Sequence, residues 1–202
     1  MTDAAPGTPR TVFDAAYYRR FYRERPVHDR RRVSRLAEAV TGFMGWWGLP
    51  VRSVLDVGAG TGLWRSWFRD HRPGVRYRSI DISEYACHRY GHERHDISSW
   101  RPQRPSDLVV CHGVLQYLDN ASCRSAIDNL ALATRGVLFL EVPTAADRDD
   151  VIDPAFTDLD IHWRTGPWYR ARLRTHFLTL GCGIFVARAA GSRFYELELG
   201  AR

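Results

Sequence analysis

Residues 54–63 read VLDVGAGTGL, an apolar run that ends on an aspartate and passes directly into three glycines, Gly58, Gly60 and Gly62. Each glycine costs backbone entropy on folding, so a turn built this way implies that something lies close against the main chain. Upstream, RSVLDVG has the apolar character of a mostly buried strand. Downstream, TGLWRSWFRDH has helical spacing, with Leu63, Trp64 and Trp67 on the inward side. The unit is strand, glycine turn, helix.

The alternation continues outward from this unit. RYRSIDIS reads as a second strand ending near Asp81, SEYACHRY as a helix, ERHDI as a short third strand and SDLVVCHG as a fourth. SCRSAIDNLALAT follows as a helix and GVLFLEV as a fifth strand. Such a succession predicts an α/β domain, a doubly wound sheet with helices on both faces. Toward the amino terminus, a helix over about 29–46 puts Val33, Leu36, Ala37, Val40, Phe43 and Met44 on one face. A shorter aromatic and basic helix in FDAAYYRRFYRERP precedes it and ends before Pro26, after a loose tail over 1–10. The expected organisation is a helical cover over 1–49 and the α/β domain over 50–202. Beyond Pro143, residues 145–161 are acidic and poorly periodic. GPWYRARLRTHFLTL then has helical spacing and a proline suited to a first turn. CGIFVARA and SRFYELEL read as two strands joined through AGS, an antiparallel hairpin.

Bulk properties narrow the class. A chain of 202 residues, 45% of them apolar, is long enough to bury one sizeable core. The formal charge is +6, and all 29 basic residues are arginine. A compositional bias of the source explains the missing lysine, although arginine also suits bidentate contacts with anions. MTDAAPGTPR lacks the layout of a secretory leader, and no stretch approaches about 18 uncharged apolar residues. No membrane association and a cytoplasmic location are therefore expected. Cys87, Cys111, Cys123 and Cys182 follow no framework spacing and read as reduced thiols, several of them core residues.

Ligands of open parallel sheets sit at the carboxyl ends of the strands, where the strand order reverses. Asp81 lies there, 19 positions beyond Gly62, where a carboxylate can take both hydroxyls of a ribose. A dinucleotide-binding turn would carry a third glycine where this chain has Leu63. Asp56, just before the turn, is also misplaced beside phosphates but useful near an ammonium or sulfonium. The pattern favours a nucleoside with a cationic tail.

VLDVGAGTG, the acid of SIDIS, HDISSW and DLVVCHGVLQYL, in that order, together resemble the class I S-adenosylmethionine-dependent methyltransferases. The resemblance covers roughly residues 50–145. It implies a Rossmann-like, mostly parallel seven-stranded sheet with an antiparallel C-terminal strand, and S-adenosylmethionine as cofactor. It places Asp56, Gly58, Gly60 and Gly62 at the donor's amino-acid end and Asp81 and Ile82 at its ribose. Asp96 and Ile97 fall beside the adenine, and Cys111 and His112 on the segment running past the donor toward the acceptor. The implied activity is methyl transfer to oxygen or nitrogen of a small or medium-sized acceptor. Other readings are transfer to RNA or protein, a non-catalytic donor-binding regulator, and a nicotinamide-dependent dehydrogenase.

Candidate catalytic residues are His112 and His162, each able to take a proton near neutral pH, although in-line transfer from an activated sulfonium does not require a base. DIHWRTGPWYR, at 160–170, reads either as an acceptor-pocket wall with arginines for an anionic group or as aromatic packing with surface arginines. Tyr17, Tyr18 and Tyr22 either cover the donor or pack a helix onto the core. His88, His92 and His95 read as solvated residues around a helix end, and no metal is expected. Arg19, Arg20, Arg23, Arg25 and the run at 30–32 form a basic end that either meets RNA phosphates or faces solvent. An aromatic surface at either terminus is where two subunits could pair as a homodimer.

Overall fold

The computed structural model describes residues 12–24 and 29–200; the expected tail over 1–10 and Pro26 lie outside these. Short helix α1, Ala15–Arg19, starts from Asp14, whose carboxylate accepts from the N–H groups of Ala16 and Tyr17, and continues as wider π-type turns over Arg20–Glu24. Helix α2 spans Arg30–Trp46, capped by Asp29. Five parallel strands follow: β1 Ser53–Val57, β2 Arg76–Asp81, β3 Glu93–Arg94, β4 Ser106–His112 and β5 Thr134–Glu141. Their crossovers carry α3 Leu63–His71, α4 Glu84–Tyr90 and α5 Asn120–Ala133. After one turn of helix at Asp147–Asp150 (α6), α7 Gly166–Leu173 leads to β6 Phe177–Gly181 and β7 Ile184–Ala187.

The seven strands are ordered β3-β2-β1-β4-β5-β7-β6, with β7 antiparallel to both neighbours. Two apolar layers sandwich the sheet. Val33, Ala37, Val40 and Met44 of α2 join Trp64, Trp67 and Phe68 of α3 against Val54, Leu108 and Val110. On the other face, Ile127 and Leu130 of α5 and Leu173 of α7 cover Leu55, Val57, Val109 and Cys111. Neighbouring β4 residues thus feed opposite layers, which is why that strand reads as an uninterrupted apolar run. α2 belongs to the same core as the strands. Phe43, placed inward by its spacing, is instead 47% exposed and stacks on Trp47. Among the described residues no helix is long and apolar enough to cross a membrane.

The carboxy-terminal elements differ from the sequence expectation. The helix begins at Gly166 as foreseen but stops at Leu173, and FLTLG is strand β6. Continuing it would have taken Thr175, His176, Phe177 and Thr179 into the helix, residues that favour extended backbone. The hairpin therefore pairs β6 with β7, turning at Gly181, Cys182 and Gly183, all with positive φ. SRFYELEL forms no strand; Glu196–Glu198 is a 3-10 turn, and Trp47 donates to Glu198.

At the opposite end of the sheet from the glycine turn, Asp107 is 3% exposed and ties three strands together. One oxygen accepts from the N–H groups of Arg52 and Ser53 and from the Ser53 hydroxyl; the other accepts two bonds from Arg135. Arg135 is half exposed, so its ion pair is screened, and the greater cost of losing Asp107 falls on the stranded N–H groups. Asp107→Ala is expected to lower stability by about 2–4 kcal/mol, read from urea unfolding.

Candidate active site

The strand order reverses between β1 and β4, and a crevice opens there at the carboxyl ends of the strands. Its floor is the turn after β1. Gly58 has φ +67°, and a β-carbon there would lie 2.3 Å from Cγ2 of Val114. Gly60 has φ +54°, and its absent β-carbon would sit 3.3 Å from the Tyr22 hydroxyl. Both positions need glycine for conformation and for contact.

The Gly60 peptide is held from two sides. Its N–H donates to Asp81 Oδ2 at 2.9 Å, and its carbonyl is 2.9 Å from His92 Nε2. His92 is 7% exposed, and burial pushes its pKa down, so the ring is neutral at pH 7. A carbonyl only accepts, so Nε2 carries the hydrogen and Nδ1 accepts from the Ser79 hydroxyl at 2.9 Å. Arg65 of α3 donates to the carbonyls of Tyr90 and Gly91, fixing the corner from which His92 reaches back. His92 is thus a buried brace for the glycine turn and not the solvated histidine expected from its place after a helix end. A lone histidine following glycine carries no sequence signal of this role.

Asp81 is 5% exposed and also accepts from the Ser83 N–H through Oδ1 at 2.8 Å. Each of its oxygens thus accepts from a main-chain N–H, and the N–H of Ile82 also favours the charged form. Burial raises its pKa against the opposing bonds from Gly60 and Ser83. Ile82 follows it on the crevice wall, and Asp96 and Ile97 line the next stretch, with Asp96 Oδ1 capping the Ser98 N–H at 2.8 Å. His95 lies beside them, stacked on Trp100 at 4.6 Å.

Gly113, Val114 and Tyr117 form the side after β4. The roof comes from the amino-terminal segment: Phe13, Tyr17, Tyr18 and Tyr22 all line the crevice. Tyr18 stacks on Tyr85 at 5.5 Å, the Tyr17 and Tyr117 hydroxyls are 2.9 Å apart, and the Phe13 carbonyl accepts from the Ser83 hydroxyl. The aromatic helix both packs on the domain and closes its crevice.

Of the residues singled out in the sequence, Gly58, Gly60, Asp81, Ile82, Asp96 and Ile97 meet on these walls. Asp56, Gly62, Cys111, His112 and His162 stand behind them. Cys111 is fully buried in the α5 and α7 layer. His112 lies on the other face beside Phe139, with Nδ1 accepting from the Trp64 indole at 3.3 Å and Nε2 3.1 Å from Glu141. His162 is 8% exposed, its N–H donates to the Gln116 carbonyl, and burial followed by the charge of Arg164 lowers its pKa. Arg164, which the sequence offered either for an anionic group or at the surface, is buried and donates to Asn120, Tyr169 and the carbonyls of Leu115 and Leu118. It pins the turn after β4 to α7.

Residues 18–180 match the protein family described as "Methyltransferase domain", and the chain belongs to that family. No match was found among curated proteins. Several solved structures share the fold. Magnesium protoporphyrin IX methyltransferase (ChlM) from Synechocystis PCC 6803, with bound SAH, aligns with TM-score 0.57 and 18% identity over 87% of this chain and 93% of its own. The plantazolicin methyltransferase BpumL, in complex with a pentazolic desmethylPZN analog and SAH, aligns with TM-score 0.60 and 14% identity over 79% of this chain and 66% of its own. An O-methyltransferase family protein from Burkholderia thailandensis gives TM-score 0.55 and 15% identity over 81% of this chain, but the match spans only 59% of that protein. At these identities the likeness is one of fold.

Asp56 supplies a pH test of the site. It is 2% exposed beneath the glycine turn and accepts from the Tyr77 hydroxyl at 2.7 Å. Burial pushes its carboxyl up to about 7, against the lowering Tyr77 bond and with an added push from Asp81. Because the folded pKa exceeds the unfolded one, its contribution to stability is complete below pH 4 and is lost as pH rises through about 7. Asp56→Asn keeps an oxygen for Tyr77 and does not ionise. Thermal melts should show the variant gaining on the wild type steadily from pH 4.5 to 8; a constant difference would show that Asp56 titrates normally.

Proposed function

We propose that this chain transfers a methyl group from S-adenosylmethionine to oxygen or nitrogen of a small or medium-sized acceptor. The observation carrying this reading is the pairing of bare glycine backbone with Asp81, a buried carboxylate on the crevice wall that main-chain N–H groups hold in place. A carboxylate there can accept from a ribose diol, and Asp96 and Ile97, which line the same crevice, offer an acceptor and an apolar wall for an adenine. When bound, the donor supplies a methyl carbon already activated by its sulfonium.

In this reading Gly58 and Gly60 let the amino-acid end approach the main chain, Asp81 orients the sugar, and the tyrosine roof excludes water. Asp56 acts from beneath the turn through its field, and Gly62 and Cys111 shape the turn and the end of β4. His112 accepts from Trp64 through Nδ1 and holds Nε2 3.1 Å from Glu141, so this reading gives it a positioning role on the segment carrying Gly113 and does not assign it the proton transfer. His162 stays neutral behind Gln116, and the rate comes mainly from alignment and desolvation of the two reactants.

Calorimetric titration with S-adenosylmethionine and with S-adenosylhomocysteine tests this directly. Both should bind, and Asp81→Ala should weaken each by at least roughly 30-fold, the loss expected when two hydroxyls lose a buried carboxylate partner. Folded wild-type protein that binds neither would overturn the reading.

A further inference from the structure

We propose that His92 is a positioning residue for the donor: by holding the Gly60 carbonyl from behind the crevice wall, it sets how tightly the crevice binds S-adenosylmethionine. This rests on the methyl-transfer reading above and deepens it, because it names a side chain that acts on the ligand only through the main chain.

The argument starts from how the turn is anchored. The N–H groups of Gly58 and Ala59 both donate to the Ile80 carbonyl, at 2.9 and 3.1 Å, and the Gly62 N–H donates to the Ala59 carbonyl at 2.8 Å. Asp81 takes the Gly60 N–H at 2.9 Å. β2 thus fixes the turn as far as that N–H. The Gly60 carbonyl belongs to the next peptide unit, and His92 Nε2 meets it at 2.9 Å. Holding the units on both sides of one α-carbon fixes both of its torsions. Gly60 needs this more than another residue would, since it has φ +54° and no β-carbon to limit the alternatives. Freed from His92, its carbonyl would be left without a partner and would turn toward water in the crevice, into the space where the donor lies against the main chain.

His92 is itself fixed before any ligand arrives. Gly91, at φ +72°, ends α4 in the left-handed conformation and leads the chain into β3. Arg65 donates to the carbonyls of Tyr90 and Gly91 on either side of that bend. The Ser79 hydroxyl donates to Nδ1 at 2.9 Å, which leaves the ring hydrogen on Nε2 for Gly60. With the ring 7% exposed and its tautomer set, the clasp needs no further ordering when the donor binds.

Two variants separate this clasp from simple burial. His92→Gln carries an amide N–H as many bonds from the β-carbon as Nε2 and still reaches Gly60. His92→Asn carries its amide at the place of Nδ1, so it keeps a partner for Ser79 and falls short of Gly60. In calorimetric titration with S-adenosylhomocysteine, His92→Asn should bind at least roughly 10-fold more weakly than the wild type, the worth of one buried hydrogen bond, and His92→Gln within about 3-fold of it. Equal weakening by the two variants, or unchanged affinity in folded His92→Asn, would overturn the proposal. Where His92→Asn does not fold, the wild type answers through reciprocal linkage: a clasp that favours the ligand is favoured by it to the same degree. Exchange of the proton on His92 Nε2, followed by nitrogen-15 NMR, should then slow by roughly 10-fold when S-adenosylhomocysteine saturates the protein, and an unchanged rate would overturn the proposal. Wild-type protein that binds no S-adenosylhomocysteine would overturn the donor reading itself, which is how the two failures are told apart.

Discussion

Gly60 gives away both of its main-chain polar groups, one to Asp81 and one to His92. That double clasp is the constraint on which the crevice depends. The peptide has no β-carbon to hold it by packing, and a positive φ leaves it outside the conformations that a strand or helix would impose. Its position must come from hydrogen bonds, and both come from the β2–α4–β3 unit. β2 delivers Asp81 at its carboxyl end, and the β3 corner delivers His92. The turn after the first strand is thereby built by the second and third, and the crevice forms only when all three are paired in register.

Charge is distributed to match. Arginine is spent outside the crevice: on Asp107 at the far edge of the sheet, on Glu93 through Arg78, on carbonyls of the α4 corner and of the turn after β4. Among the described residues the crevice is lined by carboxylates, phenols, His95 and apolar side chains.

The α/β core was legible in the sequence because both its signals are local. Buried parallel strands such as LVVCH and VLFLE show as short apolar runs, and the helices between them carry caps at their starts, Ser83 and Asp119 among them. The carboxy-terminal hairpin was less legible. THFLTL is short and follows a helix with no break residue, so helical spacing extends through it; only Gly-Cys-Gly at 181–183 marks the turn. His92 was illegible, since its burial depends on Ser79 and Gly60, which lie 13 and 32 positions away. The tyrosines of α1 read equally as core or as cover because a helix packed over a cleft satisfies the same spacing in either role. Arg164 read equally as part of a pocket wall or as a surface arginine beside packed aromatics, whereas it is buried on Asn120, Tyr169 and two carbonyls, partners that no local pattern reveals.

The two carboxyls around the glycine turn explain why an acid is tolerated where a phosphate-binding turn would exclude one. Asp56 and Asp81 flank the same loop, and each is kept from easy ionisation by burial, with Asp81 further raising Asp56. Tyr77 answers Asp56 with one neutral bond, with the more distant charge of Arg65 also lowering its pKa, and main-chain N–H groups answer Asp81; among the described residues no salt bridge joins an arginine to either carboxylate. A site with two under-compensated carboxylates is electrostatically incomplete, and a cation placed above the turn relieves both at once. An anionic pyrophosphate in the same place would compound the repulsion. The charge left around the loop thus suits the cationic tail of the proposed donor better than an anionic pyrophosphate.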